Sequence, residues 1–208
     1  LMMDQGQHRR LHTVPYSRIE LTAEYSHPDV ANSEFDFVRY SIKAFHQRRL
    51  LSAGLTTLYL YGGLSHRSLP LQRLFTADHS GGWFSPVEPF KTTGSISYQG
   101  DRLGAWYLRQ DFGRSLWRRS GLPLIQDIPF SLFIYGGSFW TEFDRSPVPD
   151  LGYEYGVARD GFHEIGFGLG RIPPLFFELY FTWQISNYER SNRFMFQIGW
   201  GLLSQSSN

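Results

Sequence analysis

Eight segments of this chain alternate apolar with polar residues at a period of two, and that alternation narrows the fold more than any other feature. Successive side chains of a β-strand point to opposite faces, so each segment presents one apolar and one polar side. From Arg18 to Tyr25 every odd position is apolar and every even one polar. Val38, Tyr40, Ile42 and Ala44 alternate with Arg39, Ser41 and Lys43. The run over 55–63 carries Tyr59 and Tyr61 near its end, and 102–112 sets Trp106, Leu108 and Phe112 against Tyr107, Arg109 and Asp111. Two further runs cover 130–137 and 162–169. The last two are the clearest. Phe177, Leu179, Phe181, Trp183 and Ile185 interleave with Glu178, Tyr180, Thr182 and Gln184, and Phe194, Phe196, Ile198, Trp200 and Leu202 with Arg193, Met195, Gln197, Gly199 and Gly201.

Strands of about 8–11 residues are long enough to cross a bilayer when tilted ~45°. The pattern predicts an all-β protein, an antiparallel up-and-down transmembrane β-barrel of about eight strands, spanning 15–203 within one domain over 1–208. Alternation alone also fits a soluble fold whose apolar faces point inward. Two features favour the membrane. The aromatic share is 17%, with Trp and Tyr often near strand ends, where an interfacial belt would put them. The opposite faces carry charges of both signs (Arg18, Glu20, Glu24, Arg39, Lys43, Arg109, Asp111, Glu178 and Arg193) able to pair across a lumen. Ile19, Leu21, Tyr40, Leu179, Phe181, Trp183, Phe196, Ile198 and Trp200 are then expected to face lipid.

No segment approaches the ~18 consecutive apolar residues of a membrane-spanning helix, which leaves strands as the way across. The first residues lack the basic and apolar regions of a signal peptide, so a mature or truncated chain is expected. Connections alternate in length, short or moderate at 47–53 and 186–191 and long at 64–94, 113–129 and 141–161, as in outer-membrane barrels. The 64–94 segment is punctuated by Pro70, Gly81, Gly82, Pro86 and Pro89. It also carries Leu69, Leu71, Leu74, Phe75, Trp83, Phe84 and Phe90, too much apolar surface for a solvated loop. It is expected to fold into or over the barrel mouth, with Lys91 reaching a carboxylate such as Asp111 or Glu178. Residues 58–63 and 132–137 echo each other weakly and read as the same strand-end chemistry used twice.

Five short motifs stand in a fixed order: Leu69-Pro70-Leu71-Gln72-Arg73-Leu74-Phe75, Pro89-Phe90-Lys91-Thr92-Thr93-Gly94, Gly100-Asp101-Arg102-Leu103, Leu108-Arg109-Gln110-Asp111-Phe112 and the closing Phe196-Gln197-Ile198-Gly199-Trp200-Gly201-Leu202. In that order they resemble the C-terminal barrel half of the BamA/TamA-type outer-membrane insertase and transporter superfamily, and within it the surface-antigen-like barrels of Gram-negative bacteria. The resemblance implies a lumenal loop with Arg73, Lys91, Asp101, Arg102, Arg109, Asp111 and Glu178 as loop or lumen candidates. It implies an insertion signal at Phe196, Ile198, Trp200 and Leu202. It implies a place in the cell outer membrane, with outer-membrane lipids, unfolded outer-membrane or secreted proteins and periplasmic domains as partners. The chain departs from the family at the loop tip, which reads Phe-Lys-Thr-Thr-Gly instead of Val/Leu-Arg-Gly-Phe/Tyr, leaving Lys91 as the cation. It also has about half the usual strands, so it is expected to be either the C-terminal half of a larger barrel or a small closed one.

Bond-breaking chemistry is not expected. The sequence has no cysteine, hence no thiolate nucleophile or disulfide framework. His27, Asp29 and Ser33 share one loop and Asp78-His79-Ser80 another, whereas catalytic partners usually come from separated segments. His163-Glu164 point to opposite faces of a strand, too close in sequence for two metal ligands, and read as a strand entrance. With 20 Lys+Arg against 19 Asp+Glu there is no single-sign field, and the pairs Arg9-Arg10, Arg48-Arg49 and Arg118-Arg119 are expected in turns or loops, against lipid headgroups or water and not nucleic acid. No cofactor motif occurs. Insertion or translocation of outer-membrane components is the leading expectation. A stand-alone small barrel, structural or lipid-modifying, and a soluble ligand-binding β-barrel are the alternatives.

Overall fold

The computed structural model describes residues 2–5, 8–11, 16–29, 35–50, 54–77, 89–119, 121, 129–144, 155–172, 177–188 and 191–200. In chain order the strands are β1 (Met2–Gln5), β2 (His8–Leu11), β3 (Tyr16–Ser26), β4 (Phe37–Leu50), β5 (Gly54–Ser65), β6 (Phe75–Thr76), β7 (Ser97–Gly100), β8 (Arg102–Gly113), β9 (Ser131–Glu142), β10 (Tyr155–Gly156), β11 (Phe162–Ile172), β12 (Phe177–Gln184) and β13 (Phe194–Trp200). A short helix, α1 (Ser115–Arg119), follows β8. All eight expected strands are present and form one antiparallel sheet, ordered β13-β12-β11-β9-β8-β5-β4-β3. Sequence neighbours on this sheet are spatial neighbours, so the path is up and down.

Several strands outrun the expected segments. The second continues through Arg48 and Arg49, which pair with Thr56 and Leu55. These two arginines therefore lie on a strand, not in a turn, and the next strand opens at Gly54, whose φ of +91° suits glycine. Arg9 and Arg10 likewise fall within the β1–β2 hairpin, and Arg118 and Arg119 end α1. The fifth strand runs on to Glu142. The long connections also hold structure of their own: β6, β7 and β10 make a three-stranded sheet, with β10 parallel to β7.

The eight-stranded sheet has two unlike faces. One is apolar and uncovered: Ile19 is 69% exposed and Leu21 75%, with Tyr40, Leu60, Leu108, Ile134, Ile165, Phe167 and Trp183 also exposed. The other is aromatic and polar, and from β8 to β13 it is buried, holding Tyr107, Phe133, Tyr135, Phe139, Glu164, Tyr180, Thr182 and Gln197. The sheet curls around this second face. Arg109 of β8 and Glu178 of β12 are three strand spacings apart, about 14 Å if flat, yet their side chains meet at 3.1 Å.

Many aromatics lie on this inner side. Tyr61, Phe133, Tyr135, Phe139, Phe162 and Tyr180 fill it, so the aromatic richness serves inward packing as well as the outer surface, and Tyr61 is no belt residue. Gly166 and Gly168 make room for them: a Cβ on Gly168 would stand 2.2 Å from Phe133 Cζ, and one on Gly166 2.5 Å from the Tyr135 hydroxyl. Among the described residues β3 and β13 have one sheet partner each and do not pair with one another, so the sheet is open.

Candidate functional site

The segment that follows the long connection lies inside the curl of the sheet. Phe90 is fully buried, with its ring against Phe139 at 4.7 Å and Tyr107 at 6.4 Å between centroids. The same aromatic layer continues through Tyr98, Phe162 and Tyr188. Burying Phe90 draws Lys91, Thr92 and Thr93 inward, and all three are buried, though each carries polar groups that must then be satisfied internally.

While the Thr93 hydroxyl finds no partner among the described residues, Glu164 of β11 satisfies the Lys91 and Thr92 amides and the Thr92 hydroxyl. Its carboxylate, 2% exposed, accepts the backbone N–H of Lys91 at 3.0 and 3.1 Å, the backbone N–H of Thr92 at 3.0 Å and the Thr92 hydroxyl at 2.7 Å. The Thr92 carbonyl in turn accepts the backbone N–H of Asn192, tying in the connection between β12 and β13. The Lys91 ammonium lies 4.7 Å from the Tyr180 ring centroid and 5.8 Å from that of Tyr135. There it acts on Glu164 and Glu178 through space. The Tyr135 hydroxyl is hydrogen-bonded to Thr182 at 2.6 Å.

Deeper along the same face Arg109 forks onto Glu178 at 3.1 and 3.2 Å and donates to the Tyr180 hydroxyl at 3.1 Å. Its guanidinium stacks 3.8 Å from the Phe133 ring centroid, and the Tyr180 hydroxyl also donates to Glu178. Two cations and two carboxylates are thus interleaved with tyrosines across four strands. Opposite charges at this spacing hold each other in place where neither could stay alone.

Of the expected site residues, Arg109 and Glu178 meet directly, and Asp111 stands 3.8 Å from Arg109. Arg73, from the long connection, reaches Glu24 of β3 at 3.2 Å. Lys91 acts on the expected Glu178 through its charge, and its main chain makes a further contact. Its backbone is clamped by Glu164, because the turn that begins at Thr92 presents amides to that carboxylate while the ammonium lies over Tyr180. Arg102 stands apart from these, sharing the outward face with Trp106 and Leu108 and pairing with Asp144. Asp101 is buried beside it and accepts the backbone N–H of Asp144 at 2.9 Å, fixing that turn. Phe196 and Ile198 lie on the outward side of β13, half-buried against β12, with Phe196 5.3 Å from Phe181. Trp200 ends the strand, and Leu202 lies outside the described residues, as do Ser33, Asp78, His79, Ser80, Gly81, Gly82, Trp83, Phe84 and Pro86.

Sequence reasoning missed Glu164. Its parity partners on β11 are Gly166, Gly168 and Gly170, which carry no side chain to mark a face, and Phe162, which misleads. Two serine–histidine contacts do form, Ser17 with His46 and Ser138 with His163, each 2.7 Å and each through Nδ1. Both are cross-strand neighbours in register on the outward face and neither lies in a loop. Among the described residues no group of three or more His, Asp or Glu could hold a metal ion. No protein-family model matches the sequence, and no curated protein matches it.

Proposed function

We propose that this chain is a wall of an outer-membrane β-barrel, with its apolar face toward lipid and its clamped loop tip in the lumen, and that the barrel serves insertion or translocation of outer-membrane components. The observation that carries the membrane reading is an uncovered apolar face on a sheet whose other face buries charged and polar side chains among its aromatics. Large apolar side chains are uncovered, while Lys91, Asp101, Glu164, Thr182 and Gln197 are buried. A soluble ligand-binding barrel has the reverse.

The outward face is also bordered. Arg102 to Gln110 on β8 and His163 to Arg171 on β11 each enclose apolar residues between polar ends. Each interval is eight residues, about 26 Å of strand or about 20 Å along the normal at ~40° tilt, close to the apolar band of such barrels. The two serine–histidine pairs lie toward opposite borders.

A larger barrel is favoured over a closed one of eight strands. The inward side of β3 (Arg18, Glu20, Thr22 and Glu24) is largely uncovered, whereas the narrow lumen of eight strands is filled by side chains. Open edges at β3 and β13 are what strand exchange at a lateral seam requires. The test is reconstitution of the chain in phospholipid vesicles with an unfolded outer-membrane barrel added. Faster folding of that barrel supports the reading. A chain that folds in the vesicles without accelerating it overturns the insertase part, and one that stays water-soluble and folded overturns the whole.

A further inference from the structure

Outside the clamped loop, a groove of about 530 Å³ lies on the outward face at the rim, across β5, β8 and β9. Its floor is a notch formed by Gly104 between Leu64 and Trp140. Gly104 pairs with Gly62 on one side and with Trp140 on the other. The glycines at 63, 137, 166 and 168 are crowded, so that a Cβ would meet a ring or backbone atom within 2.6 Å, and internal packing accounts for them. Gly104 is different: a Cβ there would meet nothing within 4 Å. No protein contact requires a glycine at this point, yet its absence of side chain keeps the notch open.

Above the notch stand charges of both signs. Arg102 sits two residues up the same face, with Arg159 from the neighbouring connection beside it. Glu142 lies directly opposite Arg102 in register, but Arg102 pairs with Asp144 instead. Asp144 is held in turn by the buried Asp101. One ion pair leaves most of the five guanidinium donors of Arg102 for other acceptors. The rim thus offers two guanidiniums to a phosphate and a carboxylate to a cation, over an apolar slot flanked by an indole.

We propose that this groove binds one phospholipid with a phosphoethanolamine headgroup, an inference that rests on the membrane reading above. The phosphate would lie between Arg102 and Arg159, the ammonium at Glu142, and an acyl chain along Gly104. A purely anionic headgroup would meet the same arginines but also the unmatched carboxylate of Glu142, so the mixed rim selects for the zwitterion.

The test is native mass spectrometry of the full chain folded in detergent with equimolar phosphatidylethanolamine and phosphatidylglycerol. One retained phosphatidylethanolamine is expected, favoured about tenfold, the size of one charge-assisted contact. Glu142→Gln should erase the preference while binding persists, Arg102→Ala with Arg159→Ala should abolish the adduct, and Gly104→Leu should block it by filling the slot. Equal retention of both lipids by the wild-type chain, or adducts unchanged in all the variants, would overturn the site. The membrane reading fails separately, if the wild-type chain does not enter vesicles at all. Circular dichroism shows that each variant has folded, and Gly104→Leu is the safest, since a Cβ there meets nothing within 4 Å.

Discussion

At the scale of single residues, Glu164 is the side chain on which the inner face turns. It receives four hydrogen bonds from the loop tip and lies within the field of Lys91. Glu164→Ala strands those donors and removes a buried carboxylate from the field of Lys91, and should lower stability by about 3–5 kcal/mol, as when one partner of a buried ion pair is removed. Glu164→Gln keeps one acceptor oxygen and should lose about 1–3 kcal/mol. Urea titration of vesicle-folded protein checks both, and equal losses for the two variants would mean that charge plays no part. The position was hard to read beforehand for a physical reason. Alternation reports a face only when side chains of opposite character share it, and on β11 the face of Glu164 is otherwise glycine and Phe162. Glu178 was legible because it sits between the apolar outward neighbours Phe177 and Leu179, and Arg109 because it follows Leu108 in the alternation from Trp106.

At the scale of elements, the described residues of the connection between β5 and β8 behave as part of the core. The apolar content of 64–94 foretold an ordered loop, and Leu69, Leu74, Phe75 and Phe90 are all buried. The shortest strands of the long connections could not be foreseen, since β6 and β10 have two residues each and no period to detect. Strand ends were misjudged where both faces turn apolar. In β9, Phe139 packs inward under the loop while Trp140 faces out, so alternation fades just where the strand continues. Phe90→Ala should open a cavity worth about 3–5 kcal/mol and expose the tip. Limited proteolysis that cuts the variant near 89–94 and spares the parent is the expected result. The sheet edges make a second prediction. Amides of β9, paired on both sides, should exchange far more slowly than those of β3, whose outer edge has no partner among the described residues. Protection of β3 equal to that of β9 would reveal a partner strand on that edge.

At the scale of the whole molecule, one sheet carries two environments, and the uncovered apolar one is what the account proposes to explain. Eight strands and their up-and-down order were legible from the sequence. The long connection after β8, however, lies at the same end of the sheet as the short one after β4, so length does not sort the two ends as expected. Closure was not, because period-two alternation says nothing about which strand meets the first and last edges. Phe181 pairs with Phe167 and Phe196 at the centre of the apolar band. Phe181→Arg should therefore cost about 2–4 kcal/mol in a bilayer, falling toward zero for an arginine placed at the border. The most direct measurement uses the absence of native cysteine. Single cysteines at Leu108, Phe167 and Phe181 on one face, and at Thr182 and Gln197 on the other, would carry nitroxide labels in vesicle-folded protein. The account predicts that labels at 108, 167 and 181 collide with dissolved oxygen and are shielded from a water-soluble nickel chelate, while those at 182 and 197 are shielded from the lipid phase. Free access of the chelate to 108, 167 and 181, with 182 and 197 reporting lipid, would contradict it.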